Sequence, residues 1–284
     1  MIIWNREGGD MENLFLRFPG GKKKALTLSY DDGKEQDIRL VSIMRRNGLK
    51  GTFNLNGGGL FEESRKDRRR TLTIREAKEL YPENGMEVAV HSLTHPRLEL
   101  LPMDRCLYEV AEDRKRLEEL FETIVRGMAY PFGTYNEKVI ECVKCSGIVY
   151  ARTTVATEDF RLPEDWFRLE TTCHHDNPRL MELAHKFAEE TPTLQPWLFY
   201  LWGHSYEFAE KDNWKVIEDF SSYMGKRDDI WYATNLEIYE YVEAYGRLVL
   251  SMKGDRIYNP SSCRVYFEKD GNVMYVDPMG EITL

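Results

Sequence analysis

The sequence has no surplus of positive charge: its 284 residues carry a formal net charge of −9. Nucleic acids and anionic membrane surfaces select the opposite sign, so neither is an expected partner. Cysteine is scarce and odd in number, with five residues at Cys106, Cys142, Cys145, Cys173 and Cys263. That excludes a secreted disulfide scaffold and fits a reducing compartment. Cys142 and Cys145 have no second pair to complete a zinc or redox motif, so they read as part of a helix face. No apolar run approaches the length of a membrane span. Met1 to Asp10 lack the basic segment and apolar core of a signal peptide, which makes a cytoplasmic protein the expectation. Gly57-Gly58-Gly59 lacks the spacing of a phosphate loop and reads as a flexible turn. What remains is an ordinary globular composition, 42% hydrophobic and 31% charged, long enough for one large domain or two small ones.

Residues 1–23 read as irregular, with turn signals at Gly8-Gly9 and Pro19-Gly20-Gly21. From Lys24 a strand-then-helix alternation sets in. The expected strands are 25–30, 51–55, 86–91, 124–130, 148–152, 197–202 and a short one at 230–232. Helices are expected at 35–47, 73–81, 103–121, 136–145, 178–190, 212–224 and 235–248. Thr73 and Glu76 form a capping box at the second of these. Residues 160–177 have weak periodicity and read as a long loop. The basic runs Lys22 to Lys24 and Arg65 to Arg70 read as solvated surface, and His185 as a structural residue within a helix. Seven βα units without a midpoint or linker predict an α/β fold, a distorted seven-stranded (β/α) barrel. From Ser251 the pattern becomes β-like. The expected organisation is therefore a barrel over 1–250 with a small C-terminal β appendage, 251–284, packed on it.

The polar residues fall at the C-terminal ends of the expected strands. Strand one ends in Asp31-Asp32-Gly33, and strand three in His91, with His95 just beyond. Strand four runs out at Tyr130-Pro131-Phe132-Gly133, and strand six reaches His204. In βα barrels those ends converge on one face, where chemistry collects. Adjacent carboxylates repel, so a buried pair needs a cation or a shared proton. One aspartate and two histidines around a metal supply that cation, and three protein ligands with an open position are what catalytic zinc requires. Pro96 keeps His95 out of a right-handed helix, which places the histidine pair at a strand end and in its loop. His174-His175-Asp176 offers the residues of a second metal site, but without a visible partner motif it reads as a polar loop.

Ser29-Tyr30-Asp31-Asp32-Gly33 and His91-Ser92-Leu93-Thr94-His95 resemble the first two motifs of the polysaccharide deacetylases, the NodB-homology domains of carbohydrate esterase family 4. Ala129-Tyr130-Pro131-Phe132-Gly133 resembles the third motif and Trp202-Gly203-His204 the fifth. The resemblance covers about residues 24–250 in the expected order. It implies a seven-stranded βα barrel and metal-dependent removal of an acetyl group from an N-acetylated sugar. By position, Asp32, His91 and His95 would hold a divalent metal, with zinc expected. Asp31 would be the general base and His204 the general acid. The Phe132 N–H would face the oxyanion, with Tyr130, Pro131 and Trp202 lining the substrate site.

Two positions depart from that pattern. The family's usual arginine before the third-motif proline, which orients the base, is Ala129 here, and Arg152 at the end of strand five is the candidate replacement. The usual leucine before the last histidine is Trp202, whose larger ring would narrow the acetate pocket or serve as a sugar platform. No fourth motif stands out, with Asp159, Asp165 and Trp166 as the possibilities. Two other functions stay open: hydrolysis of a non-sugar C–N bond, as in the allantoinase-like branch these proteins resemble, and glycan binding without catalysis.

Overall fold

The computed structural model describes residues 14–62 and 70–284. The Gly8-Gly9 turn and residues 65–69 of the second basic run lie outside the described residues. Leu14–Arg17 (β1) is a strand inside the stretch expected to be irregular. It is followed by the foreseen turn, with Gly20 and Gly21 at φ 79° and 78°. The chain then enters Lys24–Asp31 (β2), whose eight residues are all buried, as a strand covered on both faces requires.

Parallel to β2 run Gly51–Leu55 (β3), Glu87–Val90 (β4), Gly127–Ala129 (β5) and Tyr150–Ala156 (β6), each paired with the one before. Leu169–Thr171 (β7) pairs with β6. Cys173–His174 (β8) pairs with Trp197–Gly203 (β9), and β9 pairs with β2. Only Thr172 separates β7 from β8, and its N–H donates to the Tyr200 carbonyl at 2.9 Å. Residues 169–174 therefore hand over from β6 to β9, and the path of parallel pairings returns to its start. This corrects the reading of 160–177 as loop. The strand there is split between two neighbours and mixes polar with apolar residues, so it shows no period. Ile230–Tyr232 (β10) does not close the ring as a seventh strand. It pairs with Lys24–Leu26 on the edge of β2 that β3 takes over from Leu28.

The helices Asp37–Arg46 (α1), Ile74–Leu80 (α2), Met103–Phe121 (α3), Glu137–Cys145 (α4), Leu180–Glu189 (α5), Ser205–Glu210 (α6), Lys215–Met224 (α7) and Asn235–Gly246 (α8) alternate with these strands. The Thr73–Glu76 capping box is present, and Thr234 with Glu237 forms another on α8. Among the described residues no helix is long and apolar enough to cross a membrane. The tail forms Val249–Leu250 (β11), Arg256–Tyr258 (β12), Val265–Lys269 (β13), Asn272–Val276 (β14) and Glu281–Thr283 (β15). β13 lies between β1 and β14, and β12 between β11 and β15. Val265, Phe267 and Val276 are buried in one cluster with Leu16 of β1 and Ile238, Tyr241 and Tyr245 of α8.

One buried carboxyl at the start of α1 makes stability depend on pH. Asp37 is fully buried and accepts a hydrogen bond from the Tyr81 hydroxyl at 2.7 Å. Burial raises its pKa from 3.8 to about 7, the hydrogen bond offsetting only part of that. The folded chain therefore holds a proton that the unfolded chain releases. Between those two values folding takes up a proton, so stability falls as pH rises. In metal-stripped protein, Asp37→Asn should raise thermal stability progressively from pH 5 to pH 8. The full difference is on the order of 4 kcal/mol at about 1.4 kcal/mol per pKa unit. A gain that does not change with pH would contradict this.

Candidate active site

The ends of β2, β4, β5, β6 and β9 bring most of the expected residues together. Asp32 Oδ1 lies 3.8 Å from His91 Nε2 and 3.8 Å from His95 Nε2. His91 is buried and donates from Nδ1 to the Ala129 carbonyl at 2.8 Å. That bond fixes the tautomer and turns the Nε2 lone pair toward Asp32, as a ligating imidazole needs. Burial and the neighbouring His91 lower the pKa of His95, keeping it neutral. One carboxylate and two imidazoles, with both Nε2 atoms facing Asp32 Oδ1, thus fit a divalent ion.

The loop that carries the histidines is braced from α3, expected only to be a charged helix. Asp113 is buried and accepts from the His91 N–H at 3.1 Å and the Gly57 N–H at 2.6 Å. Glu109 accepts from the Thr94 N–H and hydroxyl at 2.9 and 2.8 Å. Gly57–Gly59 is accordingly a held 3₁₀ turn and not a flexible one. A Cβ on Gly57 would stand 2.7 Å from Asp113 Oδ1. Asp32, Ser92, His95 and Phe132 all have positive φ, between 59° and 79°. Each such non-glycine residue costs about 1–3 kcal/mol, and such residues gather where function fixes the backbone.

Asp31 is held apart from this cluster. Arg152, 1% exposed, brings Nη2 to 2.6 and 2.5 Å from the two carboxylate oxygens of Asp31. Asn54 donates to Oδ1 at 2.8 Å. Burial would raise the pKa of Asp31, but the Arg152 charge, with His91 and His204, brings it down to about 2. Arg152 thus occupies, from β6, the place beside Asp31 where Ala129 has no charge to offer. Across from it, His204 Nε2 is 3.9 Å from Asp31 Oδ2. His204 Nδ1 is 3.0 Å from Glu207 Oε1. Burial opposes charging His204, yet Glu207 and the carboxylates of Asp31 and Asp32 outweigh it and raise its pKa above that of free imidazole. Glu207 escaped the sequence reading, although its spacing of three from His204 on a helix start was visible.

The remaining expected residues divide. Phe132 is exposed, with its ring 4.5 Å from that of His95 and Arg97 4.6 Å above it. Trp202 packs on Arg152 at 4.6 Å and on His174 at 4.6 Å, so one face of its ring is already covered by the guanidinium. The Tyr130 side chain turns away: it is buried, stacks on Tyr135 and donates to the Phe167 carbonyl at 2.9 Å. Pro131 is buried beside it. Asp159 pairs with Arg161, Asp165 caps a 3₁₀ turn and Trp166 donates to Glu243, so none of the three fourth-motif possibilities reaches the cluster. His185 is exposed on α5 beside Glu189.

Residues 19–151 match the family model described as polysaccharide deacetylase. Over that stretch the chain is similar to the polysaccharide deacetylase family. YxkH of Bacillus subtilis (strain 168), whose name places it with the polysaccharide deacetylases, is 23% identical over 133 residues. That match covers 46% of this chain and 45% of YxkH, so the chain spans less than half the length of that curated relative. A mutant of a carbohydrate esterase family 4 pseudoenzyme from Bacillus anthracis, with restored enzymatic activity, aligns with a TM-score of 0.50 and 17% identity. The alignment covers 78% of this chain and 69% of that one. A family 4 carbohydrate esterase from Streptomyces lividans, in complex with acetate, aligns at 0.49 with 14% identity, over 75% and 93% of the two chains. The α/β fold with its mostly parallel sheet is the one shared with the Bacillus anthracis pseudoenzyme mutant.

Proposed function

We propose that the protein is a metal-dependent deacetylase that hydrolyses the acetamide of an N-acetylated sugar. The observation that carries the reading is the division of labour within one dipeptide. Asp32 faces two imidazoles, while Asp31 is locked to Arg152 with His204 opposite. Asp32, His91 and His95 would hold the ion. Such an ion polarises a carbonyl and lowers the pKa of water from ~15.7 to about 7.

The chain's own groups supply the rest. Asp31 is ionised across the neutral range and accepts the proton of the attacking water. Arg152 fixes its position and lowers its basicity, so orientation matters more here than proton affinity. His204, whose pKa is raised, donates its proton from Nε2 to the leaving amine while Glu207 holds Nδ1. The Phe132 N–H, presented by a left-handed residue, faces the developing oxyanion. Arg97 and Phe132 offer an aromatic and cationic rim for the sugar, and Trp202 buttresses Arg152. In this reading residues 1–250 are the catalytic unit and 251–284 an appendage on α8.

A panel of N-acetylated sugars and cyclic amides, assayed for acetate and for ammonia release, tests the substrate class. Acetate from the sugars, abolished by chelator and restored by a divalent metal, is the expected result. Hydrolysis of the cyclic amides with no acetate from any sugar would move the protein to the C–N hydrolase alternative.

A further inference from the structure

A second group of ligand-type side chains lies beyond Glu207, on the side away from Asp31. His174 ends β8, His175 and Asp176 follow it, and Glu207 projects from the first turn of α6. His175 Nε2 is 3.1 Å from Glu207 Oε2 and 3.6 Å from Asp176 Oδ1. His174 Nε2 is 3.5 Å from Glu207 Oε2. All four donors lie within 4.8 Å of one another. Donors about 2.0–2.1 Å from a tetrahedral ion sit roughly 3.4 Å apart, and the three separations bracket that value.

His175 gives the independent indication. Its side chain is fully buried, its ring 4.1 Å from that of Phe208 and 5.8 Å from that of Tyr30. Nδ1 has no hydrogen-bond partner, and Nε2, aimed into the cluster, lies 3.1 Å from Glu207 Oε2 without hydrogen-bond geometry. A buried nitrogen without a partner is costly, and a metal–nitrogen bond at Nε2 removes that cost for one of the two. The backbone makes room for the ring, since a Cβ on Gly203 would stand 2.0 Å from His175 Nδ1. Lys211, half exposed, caps the carboxylates from solvent, pairing with Asp176 and lying 3.4 Å from Glu207. A bound cation would displace its ammonium outward.

We propose that His174, His175, Asp176 and Glu207 form a second divalent-metal site, four-coordinate and closed, with zinc as the fitting ion. It is distinct from the cluster of Asp32, His91 and His95. Closed sites of this kind are structural. This one ties β8 to α6, and through the other oxygen of Glu207 it fixes the His204 ring.

Zinc content after dialysis provides the test. In an Asp32→Asn/His91→Ala background the first cluster loses two of its three donors. Zinc should then remain at one per chain, and fall to none when His174→Ala and Asp176→Asn are added. Both of those side chains are partly exposed, and circular dichroism checks that the fold is kept. Cobalt in the same background should give the intense visible absorption of a four-coordinate ion. If the background variant fails to fold, the unmutated chain still decides: two zinc ions per chain, one after His174→Ala/Asp176→Asn. A background protein without zinc, or zinc unaffected by those two substitutions, would overturn the proposal. A wild-type chain with one zinc, lost on His174→Ala/Asp176→Asn, would keep this site and sink the first.

Discussion

Asp31→Asn should lower the rate of acetate release by ~10²–10⁴, the usual contribution of a positioned acid or base, with zinc content unchanged. Asp32→Asn should abolish activity and lose the zinc of the first cluster as well. The two residues are neighbours in sequence, and their surroundings separate them. Asp32 Oδ1 stands 3.8 Å from each of two imidazole nitrogens, and the left-handed backbone at φ 79° aims it there. Asp31, at the last position of β2, points instead to Arg152 and Asn54. An amide in place of the Asp31 carboxylate keeps its size and its acceptor oxygen but cannot take a proton. His204→Ala should show a loss of the same order with metal retained. Full turnover by Asp31→Asn on a substrate the wild type deacetylates would remove Asp31 from the role of base.

The largest effect on stability is expected at Arg152. Arg152→Met keeps most of the volume packed on Trp202 but leaves Asp31 buried without its counter-charge. Breaking a buried pair from one side costs about 3–5 kcal/mol, because the remaining charge has no water to turn to. The double variant Arg152→Met/Asp31→Asn removes both charges and should recover much of that loss, while activity stays lost. Arg152→Lys should not rescue activity, since a single ammonium on a flexible stem does not reproduce a planar guanidinium held against Trp202. Urea denaturation of the three variants reads this cycle. Equal stability of Arg152→Met and wild type would show that the pair is not a structural requirement.

The residues of the reactive centre were legible because each stands where an apolar strand stops. Asp31, His91 and His204 follow hydrophobic runs of β2, β4 and β9, and a polar residue at such a point is conspicuous. Arg152 was expected at the end of a strand over 148–152, whereas β6 runs Tyr150–Ala156 and places it third, in register with Ala129. Glu207 was not expected, since a glutamate in the first turn of a helix is ordinary, and its partner lies one element earlier. Asp113 and Glu109 were hidden in the charged pattern of α3, where inward and outward carboxylates read alike. Residues 169–174 were missed because one strand serves two neighbours with three residues or fewer each, too short for a period of two to register. The same loss of signal hid His174-His175-Asp176 as a cluster, since Glu207 joins it only through the fold. The left-handed positions at Asp32, Ser92 and Phe132 carry no glycine or asparagine to announce them. Asp32, whose N–H donates to the Asn54 carbonyl, and Ser92, whose carbonyl accepts from Asn56, are held by tertiary hydrogen bonds, which propensity does not record.

The central claim is that Asp32, His91 and His95 converge on one divalent ion. Anomalous diffraction at the zinc edge, from crystals grown with zinc, tests it most directly. The account predicts a peak bonded to Asp32, His91 Nε2 and His95 Nε2, with Zn–N about 2.0–2.1 Å, and Asp31 still on Arg152. A zinc-loaded crystal with no peak there, or with the three side chains pointing apart, would contradict it.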